Sequence, residues 1–149
     1  MTKPAAAGEQ SERRLTLGRL IILGLVIQIP VQFLQTALLE AAPQLHLHAY
    51  SPMEIAHMCD VSGLDPLQVM ARLRFAGLDS TPGTAAEVLH DGVRERISPN
   101  KLPVARWVEI VEAAHRAGVP STVTVMFGHI ETPAELAEHM RVVRALQER

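Results

Sequence analysis

The sequence predicts an α/β fold, the central βα units of a partial (β/α) barrel. Three observations predict it. Short apolar or β-branched runs alternate with amphipathic helical stretches from residue 38 onward. The helical stretches open on cap-and-proline signals and several close on glycine. The order strand, helix, strand, helix, strand, helix requires a parallel sheet with right-handed crossovers. Three or four such units are too few to close an eight-unit barrel.

The elements follow in order. The stretch "MTKPAAAGEQSE" has the composition of a disordered leader, taken to cover residues 1–19. Arg13, Arg14 and Arg19 then precede twenty uncharged residues, 20–39, which open on "LIILGLVI". Gln28, Pro30, Gln32, Gln35 and Thr36 interrupt that run, and a bilayer span needs about 20 mostly apolar residues. A buried strand or helix is therefore expected over 20–37 rather than a membrane segment, with the partial barrel covering 38–149.

"QLHLHAY" reads as a strand with Leu45 and Leu47 on one face and His46 and His48 on the other. Ser51 and Pro52 start a helix as N-cap and first residue, and Asp65-Pro66 starts a second that stops at Gly77. Its expected inner positions are Leu67, Met70, Leu73 and Phe75 to Ala76. A very short strand at residues 78–80, a Pro-Gly turn and a brief helix over 85–89 follow. "HDGVRERISPNKL" reads as irregular. Pro103 opens a helix with an inner stripe of Val104, Trp107, Val108, Val111 and Ala114, ended by Gly118. "PSTVTVMFGH" carries the strongest strand signal. Thr132 and Glu135 have capping-box spacing around Pro133 and begin a last helix, with a stripe of Leu136, Met140, Val143 and Leu146.

Composition narrows the function classes. The chain has 149 residues, 48% apolar and 20% charged, with a formal net charge of −2 and no basic block, which argues against nucleic acid as a partner. One cysteine, Cys59, excludes an internal disulfide and any cysteine-rich metal site built from this chain alone. A buried, inert thiol is expected there. The expected location is the cytoplasm, membrane contact is not expected, and oligomeric state is not legible.

Catalytic groups in parallel α/β folds gather at the carboxyl ends of strands. Three places qualify and should share a rim: His46 and His48 with Tyr50 and Ser51, the turn "STPGTAAE" with Thr84 and Glu87, and "MFGH" ending in His129. Two imidazoles two residues apart on a strand lie about 6–7 Å apart and can share a divalent metal, but such sites need further ligands from later strands. His129 could be a third, and no strand-end aspartate follows. Hydrogen bonding to substrate or structure is the competing reading. The "PGTAAE" glycine turn can offer backbone N–H groups to an anion or amide. Glu87 can meet a cationic or amide group, or be ion-paired. His57, His90 and His139 read as surface or helix-face residues, His115 as structural, and Arg94, Arg96 and Lys101 as a solvated face.

The stretches "LHLHAYSPMEI", "AGLDSTPGTAAEVLHDGVRERISPNKLPVARWVEIVEAAHRAGVPSTVTVMFGHIETP" and "HMRVVRALQ" resemble a radical S-adenosylmethionine family. The likeness is to the tyrosine-using subunit of FO synthase, with the menaquinone-pathway futalosine enzymes as relatives. It covers about residues 38–147, and "PGTAAE" is the FO-synthase form. The resemblance implies a radical-SAM-type (β/α) barrel with a [4Fe–4S] cluster and S-adenosylmethionine. It further implies transfer of a 4-hydroxybenzyl fragment of L-tyrosine to 5-amino-6-(D-ribitylamino)uracil, on the way to a deazaflavin coenzyme. His46, His48, Ser51, Thr84, Glu87 and His129 would then line the substrate or S-adenosylmethionine side of the rim, with no catalytic residue assigned and no metal ligand. The family's C-x₃-C-x₂-C cluster motif does not occur in this chain, so activity by this chain alone is not expected. A futalosine-type fragment, a non-catalytic small-molecule binding module and a His-x-His metallohydrolase fragment are the alternatives.

Overall fold

The computed structural model describes residues 40–42 and 44–149. The expectations for residues 1–19 and 20–37 lie outside the described residues. The chain divides into two compact units, Met1–Leu45 and His46–Arg149, and the second carries every candidate site residue.

Five helices are described in the second unit: α1 (Pro52–Ser62), α2 (Pro66–Phe75), α3 (Asp91–Ile97), α4 (Val104–Arg116) and α5 (Pro133–Gln147). Three of them begin by the same device. Ser51, Asp65 and Thr132 each accept the backbone N–H three residues on, while Glu54, Gln68 and Glu135 accept the cap residue's own N–H. Proline at the first helical position costs nothing, because its missing N–H would have no helical partner there.

The helix α4 organises the core. Its Ile110, Ala113 and Ala114 pack with Ile55, Ala56 and Cys59 of α1, Val69 and Met70 of α2, and Leu78 and Val119. Trp107 and Val111 pack instead with Ala86, Leu89 and Leu146 of α5. Trp107 is fully buried and its indole N–H donates to the Thr84 carbonyl at 3.2 Å. Emptying that position would cost about 3–5 kcal/mol. Three expected inner residues lie outside the core: Phe75 is 95% exposed, Met140 50%, and Ala76 is exposed as well.

The expected α/β barrel is not what forms. Among the described residues the regular structure is helical, with no strand and no sheet; the extended stretches pair at two isolated parallel bridges, His48 with Ser80 and Thr81 with Ser121, and are otherwise joined by scattered backbone hydrogen bonds such as that from the Thr124 N–H to the Gly83 carbonyl at 3.4 Å. The physical reason is visible in the hydrogen bonds. A ladder needs successive backbone pairs, and here side chains take the places of backbone partners. The Leu47 N–H donates to the Asp79 carboxylate at 2.9 Å. The Gly83 N–H donates to Thr122 Oγ1 at 3.1 Å, and the Thr81 hydroxyl donates to the Tyr50 carbonyl. Pro82 and Pro120 have no N–H to give, and Tyr50 turns the first stretch away with φ +64°.

Two local expectations are corrected as well. The segment 85–89 is not a helix, because Ala85 (φ +61°) and Glu87 (φ +38°) stand in the left-handed region. The stretch expected to be irregular instead contains α3.

Candidate functional site

Each extended stretch hands a different chemistry to the surface. On the first, His46 and His48 are exposed and point at one buried side chain. His46 Nε2 lies 2.7 Å from Ser80 Oγ, and His48 Nδ1 lies 2.6 Å from the same oxygen. The backbone between them is pinned by Asp79, whose carboxylate accepts the Leu47 N–H. That hydrogen bond first, and the Arg74 guanidinium after it, hold the Asp79 carboxyl below its ordinary range. The His-x-His pair is thus joined by a hydroxyl. Ser80 was not singled out from the sequence. The signal was its place in the very short strand expected at residues 78–80.

Ser51 follows at once, with its hydroxyl committed to Glu54: it accepts the Glu54 N–H and donates to the Glu54 carboxylate at 2.8 Å. Its part here is to end the stretch and start α1.

The second stretch leads into the loop of Thr84 and Glu87. A Cβ at Gly83 would stand 1.6 Å from the Thr122 carbonyl oxygen, so only glycine lets the two backbones approach this closely. The glycine of "PGTAAE" therefore serves backbone packing, and no helix opens behind it to make an anion cradle. Thr84 is exposed and lends its carbonyl to Trp107. Glu87 faces Arg94 at 3.6 Å and Lys101 at 3.5 Å.

Arg94, expected on a solvated face, is 3% exposed. Its guanidinium donates to the carbonyls of Ala86 at 2.6 Å, Ala85 at 3.1 Å and Leu102 at 2.9 and 2.5 Å. This fork fixes the carbonyls of a loop whose backbone is left-handed at two non-glycine positions. Such positions cost of order 1–3 kcal/mol each and persist only where the surroundings hold them. His139 is likewise buried, at 1% exposed, rather than on the surface; its Nδ1 accepts the Leu89 N–H at 3.0 Å, at the other end of the same loop. Burial first, and the Arg94 charge second, hold its imidazole below the ordinary value.

The third stretch ends at His129, which is exposed. Its backbone N–H donates to the Glu131 carboxylate at 3.0 Å, and so does that of Gly128, which closes the turn before α5. The Met126 N–H donates to the Glu87 carbonyl at 3.0 Å, bringing this stretch beside the Glu87 loop. Among the described residues, no hydrogen bond or ion pair joins the side chains of Thr84, Glu87 or His129 to the histidine pair. The structure brings His46 and His48 together through Ser80 and leaves the other candidates on separate supports.

The implied iron–sulfur cluster fails a simple test of donors. It needs cysteine thiolates, and the one cysteine of the chain is buried in α1 within the core. Burial pushes the Cys59 thiol up, away from the thiolate a metal would need. The residues present do not fit a [4Fe–4S] cluster, and no step through it or through S-adenosylmethionine is derived for this chain. No group of three or more metal-binding side chains occurs among the described residues. Nor is any described helix long and apolar enough to cross a membrane.

No family model matches the chain. Comparison with curated proteins nonetheless shows that most of it is homologous to part of a family of aryl-group transferases. The chain is 49% identical over 105 residues to 5-amino-6-(D-ribitylamino)uracil–L-tyrosine 4-hydroxyphenyl transferase 1 of Methanosarcina barkeri, across 70% of this chain and 28% of that protein. To the transferase of Thermosynechococcus vestitus it is 50% identical over 118 residues, 79% of this chain and 30% of that protein. To transferase 1 of Methanosarcina acetivorans it is 43% identical over 127 residues, 83% and 34%. The likeness of the sequence to the tyrosine-using transferase is thereby borne out. The chain spans about a third of the length of the curated relatives it matches.

Proposed function

We propose that this chain supplies part of the substrate-binding surface of a 4-hydroxyphenyl transfer from L-tyrosine to 5-amino-6-(D-ribitylamino)uracil, of the FO-synthase type. The observation that carries the reading is the 43–50% identity to proteins bearing that name. The chain's own part is binding, since its residues do not fit the cluster the resemblance implies. Titration calorimetry of the chain with each compound tests it: heat with at least one is expected, and none with either overturns it. The chain alone is expected to generate no radical. Reconstitution with iron and sulfide that yields a 4Fe–4S absorbance and cleaves S-adenosylmethionine would sink that part.

A further inference from the structure

We propose that His139 is a proton-operated latch on the loop 84–89. It holds the loop closed while its Nδ1 is bare, and it releases the Leu89 end when that nitrogen takes a proton from solvent, with the helical core still folded. The latch is independent of which compound the chain binds.

The bond that closes the latch admits one proton arrangement. Its donor is the Leu89 backbone N–H, which cannot reverse its role. His139 Nδ1, at 3.0 Å, must therefore offer a lone pair, and the ring proton sits on Nε2. His139 is neutral while the loop is closed, and a second proton has only Nδ1 to go to. There it makes an N–H that faces the Leu89 N–H, so the hydrogen bond is lost and two donors meet. His139 and Leu89 are each 1% exposed, and buried donors without an acceptor are costly. Burial and the Arg94 charge on α3 both oppose a positive imidazole there. The nearby carboxylates are already engaged: Glu87 faces Arg94 at 3.6 Å and Lys101 at 3.5 Å, and Glu135, on α5 itself, lies 3.7 Å from His90.

The loop depends on such ties. Ala85 (φ +61°) and Glu87 (φ +38°) stand in the left-handed region, which their own side chains disfavour, so the surroundings must hold them. The Thr84 carbonyl is held by the Trp107 indole, those of Ala85 and Ala86 by Arg94, and that of Glu87 by the Met126 N–H. Of these ties and the Leu89 bond, only the last answers to pH where an imidazole titrates. The loop is therefore fully latched above about pH 6.5, the ordinary imidazole value, and loosens as the pH falls below it. The core cluster around Ile55, Met70, Ile110 and Val119 contains no histidine, so the same proton leaves it alone. Ala86 and Leu89 instead pack with Trp107, the one tryptophan of the chain, and opening the loop wets that indole.

Three measurements on the full chain test this. Spectra of ¹⁵N-labelled histidine in the neutral range should show His139 as the Nε2–H tautomer, and an Nδ1–H ring overturns the latch. As the pH falls from about 7.5 to about 5, opening at the Leu89 amide should rise by up to about tenfold per pH unit, the slope of one proton. Hydrogen exchange, corrected for its intrinsic pH dependence, reads this. Trp107 emission should move to the red over the same range while the helical circular dichroism holds. Level Leu89 opening, or emission and helical signal changing together, overturns the proposal. His139→Asn and His139→Gln keep an acceptor and cannot take up the proton, so each should hold Leu89 opening and Trp107 emission level with pH. An undiminished pH response in whichever variant folds overturns it too, and the unaltered chain decides alone if neither does.

Discussion

Two polar clusters in this chain solve opposite problems. The His46–Ser80–His48 group lies open to solvent and carries its links through a single hydroxyl. The Arg94 group is buried, charged, and tied to three backbone carbonyls and to Glu87. A buried guanidinium is costly to desolvate and remains only when its donors are all occupied. Its job is to hold a loop in place. An exposed imidazole pair needs no such enclosure, and its outer nitrogens stay available. The difference separates what supports the site from what faces a ligand.

Substitution at Arg94 should produce the largest effect. Arg94→Met strips the Ala85, Ala86 and Leu102 carbonyls of a donor and leaves Glu87 beside Lys101 alone, so a loss of about 3–5 kcal/mol is expected in urea unfolding. A loss under about 1 kcal/mol would show that the loop holds itself. Gly83→Ala comes next, at about 1–3 kcal/mol, because the Thr122 carbonyl must move aside for the new methyl group. Equilibrium unfolding checks it, and a neutral result would mean the two stretches are not pressed together.

The pH dependence should follow the buried side of the comparison. Burial holds the His139 imidazole below its ordinary value. The unfolded chain therefore takes up protons first as pH falls below about 6.5. Stability is full above that pH, declines through it, and levels off once the folded-state value is passed. Unfolding measured at pH 8, 6 and 5 should show this slope. His139→Gln, which keeps an acceptor for the Leu89 N–H, should flatten it, and an unchanged slope would clear His139 of the effect. Thr132→Ala removes the cap of α5 and should cost about 1 kcal/mol by thermal unfolding. The smallest change belongs to the exposed cluster: His48→Ala should alter stability by no more than about 0.5 kcal/mol while acting on ligand binding.

Much of the chain was legible before any coordinates. The starts of α1, α2 and α5 were, because an N-cap residue followed by proline is a local signal, joined at α5 by capping-box spacing. The inner face of α4 was, from the spacing of Trp107, Val111 and Ala114. The transferase likeness was, from its quoted motifs. Other features depended on distant partners. Residues 121–126 are β-branched and alternate well, yet they lack the continuous neighbour a strand requires. Arg94 and His139 look like surface residues until the 84–89 loop folds over them.

By itself, the sequence determined the local matters: where helices begin and end, which thiol is alone, and which known proteins the chain resembles. These rest on residues a few positions apart or on identity along the chain. The tertiary structure alone decided that the extended stretches make no sheet, that Gly83 yields to Thr122, and that Ser80 stands between two imidazoles. Each joins groups more than thirty residues apart, and such a meeting is set by packing, not by local propensity.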